Sequence, residues 1–296
     1  MPYCYNCFQN LSSPGPCPHC GYDPKQDAGK FPLALPHGSI LAGQYITGRV
    51  LGQGGFGITY LALDNKTNQR VAVKEFLPDT MAWRSGGSLQ VTAYSGDRGT
   101  QFQYGLDCFL EEAKTLAKFL DNPNIVGVHS YFQENGTAYF SMEYIEGISL
   151  KSHLRACGGH LTWEETVRLL LPVMNALESV HREGLIHRDV TPDNIYIAGN
   201  GQVKLLDFGA ARYSLGDRSR SLDVVLKPGY APKEQYTRRG RQGPYTDIYS
   251  LGACFYAALT GVLPPEALDR MEEDDLVPPT SRGIKLPPEL EDAILK

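Results

Sequence analysis

The chain has 296 residues, 42% hydrophobic and 21% charged, proportions that suit one large globular domain or two lobes with a small appendage. It has no long uninterrupted apolar run, and Met1-Pro2-Tyr3-Cys4-Tyr5 lacks the charged and apolar regions of a signal peptide, so a membrane segment is not expected and a cytoplasmic location is. A net charge of −5 argues against general nucleic-acid binding, yet positions 210–241 carry eight Lys or Arg against three Asp or Glu, a local invitation to an anion.

Residues 1–22 are dense in Cys, Pro and Gly and too few to bury a core. Cys4-x2-Cys7 and Cys17-x2-Cys20, nine residues apart, form two paired-thiolate hooks of the kind that close a tetrahedral zinc site. Such a zinc ribbon folds only with its ion, and two disulfides are disfavoured in a reducing compartment. Few basic residues surround it, which points to a structural or protein-docking role. Cys108, Cys157 and Cys254 sit in apolar surroundings and read as thiols without a role. Residues 23–43 read as a linker.

From Tyr45 the texture becomes strand-like, with Ile46–Leu51, Ile58–Leu63 and Val71–Phe76 as expected strands. Between the first two lies Gly52-Gln53-Gly54-Gly55-Phe56-Gly57. Because strand rather than helix follows, this glycine pattern suits a flap over phosphates. Lys74, closing a hydrophobic strand, is a candidate phosphate ligand. Residues 77–105 read as a long polar loop, and 107–120 as a helix with Leu110, Ala113, Ala117 and Leu120 on one face. Two strands, Val126–Phe132 and Thr137–Tyr144, are joined by the turn Glu134-Asn135-Gly136.

After Gly147 the chain turns mainly helical. Thr162-Trp163-Glu164-Glu165 is a capping box opening a helix toward Val180, interrupted by Pro172. Residues 247–259 form an apolar helix, with Thr246 as cap and Gly261 closing it. Between them, Ile195–Ala198 and Gln202–Leu206 flank Asn200-Gly201, the preferred type I′ hairpin turn. That register sets Asn194 opposite Asp207, a hard-oxygen pair suited to Mg2+, with Asp189 nearby completing the cluster.

The order of Gly52–Gly57, Lys74, Glu112, His187-Arg188-Asp189 and Asp207-Phe208-Gly209 resembles the eukaryotic-like serine/threonine protein kinases of bacteria, over about residues 44–296. The resemblance implies an α+β, two-lobed protein-kinase fold: a β-rich N-lobe (44–145) with one helix and a helical C-lobe (146–296). It implies transfer of the γ-phosphate of ATP to protein hydroxyls, with Mg2+ (or Mn2+) as cofactor. Lys74 would hold the α- and β-phosphates and pair with Glu112, Asp189 would take the substrate proton, and Asn194 and Asp207 would bind magnesium. Leu51, Gly52, Gly54, Gly55, Phe56, Gly57, Thr59, Ala72, Met142 and Tyr196 would line the nucleotide site, and Glu143 and Ile145 would hold adenine through backbone groups. Asp247 would brace the catalytic loop, and Leu116, Val128, His187 and Phe208 resemble the packed regulatory stack. Arg188 before the catalytic Asp suggests switching by phosphorylation at Ser214, Ser219 or Ser221.

Departures from the family pattern carry information. Thr191 stands where the family has Lys, and Lys227 where it has Thr before Pro228-Gly229-Tyr230, which reads as an exchange that brings the Lys227 ammonium to the γ-phosphate from the other side. Thr59 and Tyr196 depart from the usual adenine sandwich. The 37 residues between Lys74 and Glu112 exceed the usual spacing. Glu234 takes the structural salt-bridge role, and its arginine partner is expected beyond Lys296, so the last helices are expected to be missing. The alternative function is a zinc-tethered pseudokinase acting as an interaction scaffold.

Overall fold

The computed structural model describes residues 3–13, 15–26, 29–208, 212–213, 226–237 and 240–296. Two units emerge, residues 1–121 with 127–144, and residues 122–126 with 145–296.

In the first unit, alternating and doubly buried strands build a six-stranded antiparallel sheet. Its members are β1 (Ile40–Leu41), β2 (Tyr45–Gly54), β3 (Gly57–Asp64), β4 (Gln69–Phe76), β7 (Val128–Glu134) and β8 (Thr137–Glu143), in the order β1-β2-β3-β4-β8-β7. The turn joining β7 to β8 places both Asn135 and Gly136 in the left-handed region (φ 53° and 71°), as an Asn-Gly hairpin requires.

The stretch expected to be a loop, 77–105, holds structure of its own. β5 (Ala82–Arg84) pairs with β6 (Val91–Ala93), and helix α1 begins at Asp97 and runs to Leu116, ten residues before its expected start. The buried face of α1 is Phe102, Leu106, Phe109, Ala113 and Leu116, whereas Ala117 and Leu120 are exposed and Leu110 is only half-buried. Aromatic burial decides the roll of the helix. Phe102 and Phe109 lie 5.3 and 5.5 Å from the ring of Phe76 on β4, and Phe109 lies 4.9 Å from Phe140 on β8.

The hairpin β5–β6 is anchored by a buried ion pair. Arg84 makes a two-pronged contact to Glu75, with both side chains almost wholly buried. The hydroxyl of Tyr60 donates to Glu75 Oε2 (2.8 Å) and accepts from the Leu35 N–H (3.0 Å), while Arg84 Nη1 donates to the Leu33 carbonyl (2.8 Å). The region expected as a linker, 23–43, is therefore part of the packing from its middle onward. Leu35 and Leu41 are buried, and β1 forms the sheet edge.

In the second unit β9 (Gly147–Ser149), α2 (Leu150–Ala156), α3 (Trp163–Arg182), β10 (Leu185–Ile186), β11 (Ile195–Ala198), β12 (Val203–Leu205), β13 (Arg212–Tyr213), α4 (Pro244–Thr260), α5 (Ala267–Glu272) and α6 (Pro288–Leu295) follow in order. The capping box at Thr162 forms as its sequence predicts: the Thr162 hydroxyl accepts from the Glu165 N–H, and Glu165 accepts from the Thr162 N–H, both at 3.2 Å. The helix after it, α4, starts three residues before its expected start, with Gly243 as cap. Thr246 sits inside it, accepting from the Gly243 N–H (3.2 Å) and donating to Glu234 (2.7 Å), and Gly261 closes the helix in the left-handed conformation.

Segment 122–126 belongs with the second unit because its backbone bonds β12. Val126 N–H reaches the Leu205 carbonyl (3.1 Å) and Leu205 N–H reaches the Asn124 carbonyl (2.8 Å), so β7 begins only at Val128 rather than at Val126.

Candidate active site and metal centre

In the first unit the β2–β3 turn carries the glycines. Gly57, at φ 152°, lies so close to β4 that an added Cβ would stand 1.8 Å from the Glu75 carbonyl oxygen, so it is required for strand packing. A Cβ added at Gly52, Gly54 or Gly55 would meet no other atom within 4 Å, so this face of the turn borders open space. Lys74 is placed by ladder register, paired with Thr59 on one side and Phe140 on the other, and its ammonium lies 5.7 Å from the Phe140 ring centre. Ala72 pairs with Met142 in the same ladder, and the Glu143 N–H is taken by the Gly127 carbonyl (2.8 Å). On α1, Glu112 is half-buried, while Glu111 points to solvent and pairs with Lys114 at 3.4 Å.

In the second unit the loop 187–194 hangs from Asp247, which is fully buried. Its carboxylate accepts from the backbone N–H of His187 (2.8 Å) and of Arg188 (2.7 Å) and contacts His181 Nε2 at 2.7 Å. Arg188 takes a left-handed φ of 70°, which the two N–H bonds to Asp247 hold in place. Beyond this bend, Asp189 receives the Asn194 side-chain amide on both its carbonyl (2.9 Å) and its carboxylate (2.8 Å). Burial raises the Asp189 carboxyl above the usual carboxylate range, and the neighbouring Asp207 charge adds to the rise; His187, the Asn194 amide and the Lys227 ammonium pull it down.

The hairpin register differs from the expected one by a single residue. Ile195 pairs with Leu205 and Ile197 with Val203, so the loop is Gly199-Asn200-Gly201, with only Gly201 left-handed (φ 82°). The Asn200 side chain accepts from the Gln202 N–H (3.0 Å), stabilising this three-residue turn over a type I′ turn. Asn194 therefore faces Leu206, whose N–H it accepts at 2.8 Å, and Asp207 follows at the strand end. Its left-handed backbone (φ 62°), rather than cross-strand pairing, sets the Asp207 side chain beside Asp189. His187 and Phe208, two members of the expected stack, lie 4.3 Å apart ring to ring, and His187 Nε2 meets the Leu206 carbonyl at 3.1 Å.

Thr191 and Lys227, the pair expected to be exchanged, line one cleft together with Arg188, Asp189, Tyr230 and Gln235. Among the described residues the buried Thr191 hydroxyl has no hydrogen-bond partner. Two residues support this cleft, Gln235, which the sequence did not mark, and Cys254, which was expected to be a thiol without a role. Gln235 donates to the Arg188 carbonyl (2.8 Å), and the buried Cys254 thiol donates to the Val190 carbonyl (3.6 Å), so Cys254 packs beneath the catalytic loop. Neither an amide in a short turn nor a lone thiol in a helix carries a motif that would have marked it. Gly209 and the three loop serines, Ser214, Ser219 and Ser221, lie outside the described residues.

At the N-terminus, the ligand atoms of Cys4, Cys7, Cys17 and Cys20 all lie within 4.8 Å of one another. Cys4–Cys20 and Cys7–Cys17 are 3.5 and 3.6 Å apart. Those spacings approach the edge of about 3.8 Å expected for a tetrahedron with ~2.3 Å zinc–sulfur bonds. Both hooks have the same backbone: Phe8 N–H bonds the Cys4 carbonyl and Gly21 N–H the Cys17 carbonyl, each at 2.8 Å. Burial pushes the Cys7 thiol up to about 12, while at Cys20 the Tyr22 backbone, the Asn6 amide and the neighbouring thiols outweigh burial and bring the thiol down to about 6; four clustered sulfurs are a donor set that fits zinc.

The sequence profile described as "Protein kinase domain" matches residues 45–278. The chain belongs to the protein kinase family. It is 34% identical over 238 residues to a "probable serine/threonine-protein kinase" of Streptomyces coelicolor, covering 76% of this chain and 31% of that protein. It is also 32% identical over 226 residues to the serine/threonine-protein kinase PknL of Mycobacterium tuberculosis, covering 76% of this chain and 51% of that protein. The chain thus spans about a third to a half of the length of these relatives. The solved structure titled "PpkA-294 apo form" matches with a TM-score of 0.75 and 38% identity, over 88% of this chain and 92% of that one. The two units are accordingly the β-rich N-lobe and helical C-lobe of the protein-kinase fold. Among the described residues no helix is long and apolar enough to cross a membrane.

Proposed function

We propose that this chain is an ATP-dependent serine/threonine protein kinase, working in the cytoplasm on protein substrates. The observation that carries the reading is the catalytic loop: a half-buried Asp189 carboxylate aligned by Asn194, beside Asp207, in a cleft that also holds Lys227. Asp189 orients the substrate hydroxyl and accepts its proton. Lys74 and the open glycines receive the phosphates, with Glu112 pairing Lys74, and backbone groups of Glu143 and Ile145 hold adenine. Asn194 and Asp207 hold magnesium, which neutralises charge on the transferring phosphoryl group. Lys227 supplies the ammonium that the family places at position 191.

Phosphorylation at Ser214, Ser219 or Ser221 activates the enzyme through charge pairing with arginine, and mass spectrometry of active protein should find it. We place the zinc ribbon at residues 1–22 and the kinase domain at 44–296, with the ribbon also a candidate docking point for a protein partner. Radiolabel transfer from ATP to a protein acceptor tests the central reading. Asp189→Asn should lower transfer by about 10²–10⁴-fold, the range for loss of a general base. Undiminished transfer by that variant would remove the proposal.

A further inference from the structure

The zinc hooks do not hang free of the kinase lobe. Tyr5, between Cys4 and Cys7, accepts the backbone N–H of Arg49 on β2 at 2.8 Å. Asn6 accepts from Arg49 Nε at 2.7 Å and donates its own amide to the Cys20 sulfur at 3.5 Å, while its backbone N–H points to the Cys4 sulfur at 3.4 Å. A continuous chain of bonds therefore runs from two metal-binding thiolates through one asparagine to a strand of the kinase sheet, the kind of outer-shell contact that tunes a metal site.

The strand is shaped to receive this contact. Gly48 has no left-handed backbone to explain it, yet a Cβ there would lie 2.2 Å from the Tyr5 carbonyl oxygen and 2.9 Å from the Phe8 ring. Glycine is thus present so that the hook can approach. The β2–β3 ladder shifts register on both sides of Val50, between Thr47 and Val50 and again between Val50 and Gly52. The first shift lies where Arg49 bonds Tyr5, and the second opens the glycine-rich turn. Gly52 lies three steps along the strand from Arg49, roughly 10 Å at ~3.3 Å per residue.

We infer that zinc at Cys4, Cys7, Cys17 and Cys20 is energetically coupled to nucleotide binding beneath Gly52–Gly57, through Asn6, Arg49 and the irregular stretch of β2. This rests on the nucleotide reading given above. Zinc holds the first hook in the shape that docks on Gly48, and the docked hook holds the bulge that sets the path of the turn. By linkage, a nucleotide that selects the same turn must tighten zinc by the same factor.

The test measures affinity for a non-hydrolysable ATP analogue with magnesium, in the zinc-loaded chain and after chelation. Zinc affinity is measured in parallel by chelator competition, with and without the analogue. Zinc should tighten the analogue by about five- to tenfold, the lower part of the range for coupled sites, and the analogue should tighten zinc equally. Asn6→Ala and Gly48→Ala retain all four thiols, so each should still bind one zinc while losing most of the coupling; Asn6→Ala carries the test should Gly48→Ala fold poorly. Equal analogue affinity in loaded, stripped and Asn6→Ala protein overturns the coupling alone. No analogue binding to the zinc-loaded wild type overturns the nucleotide reading, and the coupling with it.

Discussion

The two lobes place their reactive groups by different means. Lys74 in the N-lobe is set by backbone register, between Thr59 and Phe140, and its position follows from the ladder whatever the neighbouring side chains are. Asp189 in the C-lobe is set by side chains: Asp247 holds the backbone ahead of it and Asn194 holds its carboxylate. A ladder tolerates substitution around the group it positions, whereas a web of side-chain bonds fails when one member is lost.

One N-lobe feature breaks that division and should show the largest effect on stability. Arg84→Ala would leave Glu75 buried without its guanidinium and should cost about 3–5 kcal/mol, read as a lower denaturant midpoint. A midpoint like wild type would mean that the 77–96 insert contributes no anchoring to the sheet.

Next in size is Lys227→Ala, which should lower kcat by about 10²-fold, or ~2.7 kcal/mol, with ATP affinity nearly unchanged. It also has a pH signature. The ammonium favours the ionised Asp189 carboxylate, so its removal should move the acidic limb of kcat/KM further upward from a position already above the usual carboxylate range. A limb that stays in place would separate the two groups. Asp247→Asn follows, at about 1–3 kcal/mol of stability with reduced turnover, because an amide offers one acceptor oxygen where a carboxylate meets two N–H groups and His181. Smallest is Glu111→Ala, whose exposed pair with Lys114 should contribute less than about 0.5 kcal/mol; a larger loss would mean that Glu111, not Glu112, faces the sheet.

Most of the residues proposed for catalysis could be nominated from the chain because each sits in a short motif whose spacing reflects one turn or one strand. What escaped depended on packing between distant segments. The Asn200-Gly201 pair is shared by two kinds of hairpin loop, and only the Asn200 side-chain bond to Gln202 decides between them. The roll of α1 is set by Phe102 and Phe109, whose rings contact Phe76, and the helical spacing of Leu110, Ala113, Ala117 and Leu120 takes no account of either ring. Arg84 in a polar stretch gave no sign of burial, since its partner Glu75 belongs to another strand. Leu35 likewise carries no local mark of burial, since the Tyr60 hydroxyl that accepts its N–H belongs to a distant strand.

The repeated backbone of the two cysteine hooks makes the N-terminal module a near-duplicate of itself about the metal position, but its halves have unequal surroundings. Tyr5, Asn6 and Phe8 of the first half press against β2, while Pro18, His19 and Gly21 of the second lie exposed. A zinc ion held there would thus sit between an inward hemisphere, committed to this chain, and an outward one whose side chains can be exchanged without disturbing the kinase sheet.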